Sequence, residues 1–357
     1  MATSTPSSQE LELLVDLAFW DLDIAISIMQ TGLIGHRNRI IRPSVSQKRA
    51  LDRILLFDDH FARTHFRFTI PEIRTLAPLL KLHPHIKFSN RSTCTGFEAL
   101  AMVLARLSFP KRVDVELVML FGRSKAAISI IINETIIFLV SEFQSKLFFD
   151  EIYLKANVDK FCQIVSASGC PMQSIWGFVD GTAREIARPS RWQRPTYSGH
   201  KRRTCLKFQS IVTPDGLLWL YGPIEGRRHD SFLLLESNLK NILGSMPEFD
   251  GKYLYGDPGY CLSSIVINPY RNPTDDQKEF NRRMSSIRQN VEFGFMRITQ
   301  LFGFFQYVPS LRLWSTPVGA YYLIGGLLTN CRTCMDGANI ITSCFNSTPP
   351  SIEEYLL

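Results

Sequence analysis

The chain has 357 residues, 45% of them hydrophobic, which is enough for two folded parts, each with a core of its own. Its formal net charge of +7 suits a polyanionic partner but does not require one. Eight cysteines, at 94, 162, 170, 205, 261, 331, 334 and 344, follow no repeating spacing. That fits reduced thiols in the cytosol or nucleus better than a disulfide framework.

The opening Met-Ala-Thr-Ser-Thr-Pro-Ser-Ser lacks the basic and apolar stretches of a signal peptide, so secretion is not expected. Residues 1–60 read as an N-terminal extension, helical over 11–29 and basic around His36, Arg37, Arg39 and Arg42. From 61 to 150 the periodicity is helical throughout and predicts a small all-α domain. Its most apolar stretch, 126–140, is too short for a bilayer of about 30 Å and reads as a buried helix. Residues 113–120, a turn at Phe121-Gly-Arg-Ser124 and residues 125–140 form a helix-turn-helix pattern with Ser124 as cap. Only Arg123, Lys125, Ser129 and Asn133 offer polar groups to DNA there, whereas the isoleucines want burial. The alternative is a purely structural bundle.

From 174 the period changes to that of strands. Runs at 174–179, 206–212 and 217–220 are β-rich, the last two joined by a hairpin turn at Thr213-Pro-Asp-Gly216. A helix over 231–243, a strand over 252–256 and a long helix over 274–302 follow, so the fold expected is a mixed α/β layer structure behind the helical domain.

Three acids occupy awkward positions: Asp180 in Ile-Trp-Gly-Phe-Val-Asp-Gly-Thr, Asp257 in Tyr-Leu-Tyr-Gly-Asp-Pro-Gly-Tyr, and Glu292 in Arg-Gln-Asn-Val-Glu-Phe-Gly-Phe. The first two are expected at strand ends, where the chain turns away from the sheet. Glu292 falls on the long helix about 100° from Val291, at the border of an apolar face formed by Met284, Ile287, Val291, Phe295, Ile298 and Phe302. Two strand-end aspartates and a helical glutamate suit hard divalent cations and phosphodiester chemistry. Taken singly, each acid would be a turn or surface residue.

In this order, with Tyr197-Ser-Gly-His-Lys-Arg, Lys207-Phe-Gln, Gly226-Arg-Arg-His-Asp230 and Phe280-Asn-Arg-Arg between them, the motifs over 174–305 resemble the DDE endonuclease domain of PIF/Harbinger-type transposases. The helical segment upstream is similar to that family's helix-turn-helix region. The resemblance implies a ribonuclease H-like core over 174–330, with 331–357 as a C-terminal tail. It also implies that Asp180, Asp257 and Glu292 bind two divalent metals, Mg²⁺ with Mn²⁺ as a substitute, and that Asp180 bridges them. His229 and Asp230 stand where the family has a His-Asp pair, although Gly226-Arg-Arg-His-Asp departs from its Gly-Ser-x-His-Asp form. Their alternative role is to cap the following helix.

Between Asp180 and Lys207 runs a basic stretch of Arg184, Arg188, Arg191, Arg194, His200, Lys201, Arg202 and Arg203, interleaved with Trp192 and Tyr197. Such a stretch grips phosphates while its aromatics stack on frayed bases; otherwise it is a solvated loop. Cys331-Arg-Thr-Cys334 has no second ligand pair and reads as reduced thiols.

The function expected is a nuclear, metal-dependent endonuclease that cuts transposon ends and joins 3′-hydroxyls to target DNA. As the family's habits imply, it would act as a homodimer with a Myb-like DNA-binding partner and no membrane. The competing readings are a domesticated, non-catalytic DNA-binding or recruiting module and an RNA-cleaving enzyme of the same fold.

Overall fold

The computed structural model describes residues 45–110, 115–260 and 263–357. The expected helix over 11–29, the basic run through Arg42 and Cys261 lie outside them, as do the side chains of Val291 and Phe295. Two compact units emerge: residues up to Glu142 with Leu301–Ile324, and Phe143–Gln300 with Gly325–Leu357. The boundaries expected at 61–150, 174–330 and 331–357 are thereby redrawn. Residues 301–324 join the helical unit, and 331–357 is no tail. Its Cys331, Ile341, Phe345, Tyr355 and Leu356 are buried in the sheet unit, because their apolar side chains recur at helical spacing.

The first unit contains helices α1 (Val45–Leu55), α2 (Asp59–Phe66) and α3 (Ile70–Leu79) and a short ribbon of β1 (Ile86–Lys87) and β2 (Thr93–Cys94). Helices α4 (Gly96–Ser108), α5 (Val115–Phe121) and α6 (Lys125–Glu142) follow. Sequence sets each start: the Asp58 carboxylate accepts from Phe61 N at 2.7 Å, and Thr69 and Glu72 close a capping box ahead of α3. Helix α4 is apolar on nearly every side and almost wholly buried. Around it, Arg106 stacks its guanidinium 4.2 Å from the Phe304 ring centre, and Arg67 Nε donates to Leu301 O at 2.8 Å.

Helices α5 and α6 are joined by a turn at which Ser124 Oγ accepts from Ala127 N at 3.2 Å. Of the polar groups expected to face DNA, Arg123 and Asn133 are engaged within the unit. Arg123 turns inward, its Nε 2.7 Å and its Nη2 3.0 Å from the Glu98 carboxylate, with only 3% of the side chain exposed. A buried carboxylate in the first turn of α4 requires such a partner. Asn133 accepts from the Tyr321 hydroxyl at 2.8 Å, while Lys125 is exposed. The isoleucine face is buried, so α6 serves as a core helix.

The second unit starts with α7 (Gln144–Phe148) and α8 (Glu151–Ala167). Strand β3 (Ile175–Glu185), helix α9 (Gln193–Thr196) and strands β4 (Tyr197–Ser198), β5 (Arg203–Val212) and β6 (Leu218–Glu225) come next. After them lie α10 (Asp230–Glu236), α11 (Leu239–Gly244), β7 (Tyr253–Gly256), β8 (Val266–Ile267), α12 (Asp275–Leu301), α13 (Val318–Asp336, in this unit from Gly325), α14 (Ile340–Phe345) and α15 (Ile352–Leu356). The sheet is mixed. Strand β3 pairs antiparallel with β5, which pairs antiparallel with β6; on its other side β3 pairs parallel with β7, and β7 with β8. Residues 175–179 are buried at every position, as a central strand covered on both faces must be.

The expected hairpin between β5 and β6 is present: the Asp215 carboxylate accepts from Thr213 Oγ1 at 2.5 Å, from Leu217 N at 3.2 Å and from the Tyr153 hydroxyl at 2.6 Å. The helix expected over 231–243 breaks at Asn238, whose φ of 53° interrupts it. Beside β6, the Asn330 amide accepts from Leu218 N at 2.9 Å, returns a bond to Leu218 O at 2.8 Å, and takes up the Tyr355 hydroxyl at 2.9 Å. Among the described residues no single helix is long and apolar enough to cross a membrane.

Candidate active site

The parallel pairing of β3 with β7 runs as far as Val179 opposite Gly256. The next residue on each strand is a site aspartate, so Asp180 and Asp257 leave the shared ladder at the same level. Asp180 is not a strand-end residue, however. Strand β3 continues six residues past Val179, to Glu185, paired with β5 through Asp180 opposite Ser210 and Gly181 opposite Gln209. The Asp-Gly that reads as a turn is extended because β5 supplies hydrogen-bond partners for both residues.

Glu292 comes from α12 and reaches this level through Arg288, one turn earlier. Arg288 Nη2 lies 3.0 Å from Asp180 Oδ2, and its Nη1 lies 2.9 Å from Glu292 Oε1. One guanidinium therefore holds two of the three acids. Asp257 takes another partner, accepting from the Gly259 backbone N–H across its Pro-Gly turn.

Asp230 is the fourth carboxylate. It opens α10, and its Oδ1 accepts from Lys207 Nζ at 2.9 Å. It faces β3 closely: a Cβ on Gly181 would lie 2.8 Å from the Asp230 carboxyl carbon, so only glycine leaves that carboxylate its place. Asp230 makes no cap, and His229, at the cap position, is exposed and bonds no helix N–H through its ring.

The electrostatics follow from the crowding. Burial pushes the Asp180 carboxyl up to about 6, with Asp257 and Glu292 adding to the rise, while Arg288 and the Gly181 N–H at 2.8 Å oppose it. Burial also raises the Tyr260 phenol well above its ordinary range, helped by Asp230, Asp180 and Asp257, and its hydroxyl has no hydrogen-bond partner. Among the described residues no three His, Cys, Asp or Glu side chains already converge at metal-binding distance. The donor chemistry nonetheless fits a hard divalent cation: the ligands are all carboxylate oxygen, and a cation of the protein's own, Arg288, already sits between two of them.

Residues 179–322 match the family model of the DDE superfamily endonuclease. No curated protein and no solved structure matches the chain. The matched DDE segment contains Asp180, Asp230, Asp257, Arg288 and Glu292, and the similarity supports a nuclease or transposase kind of activity.

The basic stretch inside the DDE segment lies between β3 and β5. Arg188, Arg191, Arg194, Tyr197, His200, Lys201, Arg202 and Arg203 are exposed, and Arg184 on β3 is half-buried. Some of its charge is engaged locally: Arg188 donates to Gln193 Oε1 at 2.9 Å, and Arg203 lies 3.4 Å from Glu185. Cys331 and Cys334 are buried free thiols, both pushed upward by burial. The sequence singles out neither Lys207 nor Gly181 nor Arg288 for this site. The only available signal for Arg288 was its place four residues before Glu292, one helical turn away.

Proposed function

We propose that the chain is a metal-dependent DNA endonuclease of the DDE transposase type, related to the PIF/Harbinger group, which cuts transposon ends and joins the freed 3′-hydroxyls to target DNA. The observation that carries this reading is the placing of Asp180 and Asp257 one residue beyond the end of the parallel β3–β7 ladder, with Glu292 tied to Asp180 through Arg288. A ribonuclease H-like core is supported by the strand order β6-β5-β3-β7-β8, in which only β5 runs against the others.

Asp180, Asp257 and Glu292 would hold the cations, with Asp230 beside them. Divalent ions there would activate the attacking water and neutralise charge on the leaving 3′ oxygen. The protein's own contribution is positional. Strand β3 fixes Asp180 by its pairing with Ser210 of β5, Gly181 leaves room for Asp230, and Lys207 orients Asp230. Arg288 offsets the repulsion between Asp180 and Glu292, and would release them to a bound cation.

The exposed arginines between β3 and β5 would hold the DNA backbone. Because α6 presents little that reads bases, sequence choice would fall to a partner such as a Myb-like DNA-binding protein. A homodimer would hold two transposon ends, and the nucleus is the compartment such a substrate implies. Arg288, by neutralising two of the acids itself, favours a second reading: a non-catalytic DNA-binding or recruiting module.

The test is Mg²⁺- or Mn²⁺-dependent nicking of DNA carrying the sequences that flank the coding region, wild type beside Asp257→Ala, with the partner supplied. Nicking lost in the variant supports the endonuclease. Binding without cleavage by either protein transfers the lead to the recruiting module.

A further inference from the structure

Apart from the acids, the second unit contains a concavity of about 800 Å³ lined by Arg188, Gln193, Arg194, Tyr197, Thr204 and Arg227. It combines three guanidinium groups, one aromatic ring, an amide and a hydroxyl, with no carboxylate in the lining. We propose that this is a binding site for single-stranded DNA, taking an unpaired nucleotide and its flanking phosphates. The proposal deepens the DNA-directed reading above and rests on it.

The pocket is built by specific contacts. Its floor is made where the turn after β6 meets α9: Arg227 N donates to Pro195 O at 3.1 Å, and a Cβ on Gly226 would lie 2.4 Å from both Thr196 O and Cys205 O. Only glycine allows these backbones to come so close. Thr196 is fully buried and returns its hydroxyl to Trp192 O at 2.8 Å, so the segment carrying Arg194 and Tyr197 is anchored from beneath.

Charge and shape then select the ligand. Arg227 is partly answered by Glu225 at 3.2 Å, but the same carboxylate also holds Arg228 at 2.5 Å, and among the described residues Arg188 meets a neutral amide oxygen and no carboxylate. Among the described residues Arg194 makes no ion pair. The lining therefore keeps an unspent positive charge. Planar guanidinium forks match phosphate oxygens in pairs, and several of them around one cavity exceed what a single carboxylate metabolite would use.

Tyr197 is 47% exposed at the rim, an unusual place for an aromatic ring in a charged loop, and offers a face on which a base can stack. A duplex backbone is convex and would touch only the rim. A strand whose base has left the stack can enter, with Gln193 and Thr204 available to its sugar or base edge.

The experiment uses the full chain in EDTA, so that no cleavage occurs, and reads the fluorescence anisotropy of a labelled single-stranded thymidine oligonucleotide and of a blunt duplex of equal length. Tyr197→Ala and the double change Arg194→Gln with Arg227→Gln are each expected to weaken single-strand binding at least about tenfold while duplex binding changes less. Tyr197→Phe, which retains the ring, is expected to bind as wild type does. Equal single-strand affinity in wild type and both weakened variants, at unchanged melting temperature, would overturn the site. Asp257→Ala is run alongside in the nicking assay. If its cleavage is lost while the pocket variants bind normally, the pocket alone fails. If the pocket variants lose binding but no form cuts DNA, the nuclease reading alone fails.

Discussion

Gly181 and Asp230 share one space: the carboxyl carbon of Asp230 lies 2.8 Å from where a Cβ on Gly181 would stand. Gly181 has no unusual φ to explain it, so the reason for glycine there is the neighbour. Gly181→Ala should push Asp230 away from Lys207 and cost about 1–3 kcal/mol of stability through overpacking. Nicking should fall by at least about tenfold if Asp230 belongs to the site. Gly244→Ala, where a Cβ meets nothing, is the control. Undiminished nicking by Gly181→Ala at wild-type melting temperature would remove Asp230 from the site.

Arg288 holds Asp180 and Glu292, so a cation bound by the proposed site would have to displace it. Replacing it by glutamine removes two charge-assisted contacts, each worth roughly 1.5–3 kcal/mol, so apparent Mn²⁺ affinity at pH 8 should rise by about tenfold or more. Calorimetric titration of wild type and Arg288→Gln measures this directly. A weaker affinity in the variant would mean that Arg288 organises the carboxylates more than it blocks them.

Asp180 makes the metal-free protein sensitive to pH in a definite direction. Its carboxyl titrates near 6 in the fold against an ordinary value of 3.8, so the folded state holds the proton more tightly than the unfolded chain. Stability from this group is therefore fully present below about pH 4 and is lost as pH rises to about 6. Asp180→Asn should stabilise the protein in EDTA at pH 7.5 by up to about 3 kcal/mol, with the advantage fading toward pH 4. Thermal melts of both proteins across that range give the comparison, and an offset that does not vary with pH would refute it.

The buried pair of Arg123 and Glu98 predicts a stability effect without a DNA effect. Arg123→Met leaves Glu98 buried and unpaired and should cost about 3–5 kcal/mol, whereas adding Glu98→Gln should recover much of the loss. Urea unfolding measures both. The dependence of DNA affinity on salt should be the same in the double variant as in wild type; a shallower slope would return Arg123 to the DNA surface.

Much of this arrangement is legible in the chain because the relevant signals are local. The hairpin at Thr213-Pro-Asp-Gly216, the strand leading to Asp257 and the helix bearing Glu292 are written in turn residues and periodicity, and the structure has them near the expected boundaries. What local pattern conceals is decided by distant partners. Asp180-Gly181 looks like a turn until β5 pairs with it, Arg123 looks like a DNA contact until Glu98 arrives from another helix, and Asn238 looks helical until its left-handed backbone divides α10 from α11. The residues after 331 carry no motif, and only their burial shows that they complete a core.

Strand β6 forms the border of the sheet, where unpaired backbone groups would ordinarily recruit a strand from another molecule. Here the Asn330 amide occupies both backbone groups of Leu218, and farther along Pro223 has no N–H to offer. The irregular register between Lys207 and Gln209 bends the same border. One asparagine and one proline thus deny this sheet the simplest route to aggregation, strand added to strand.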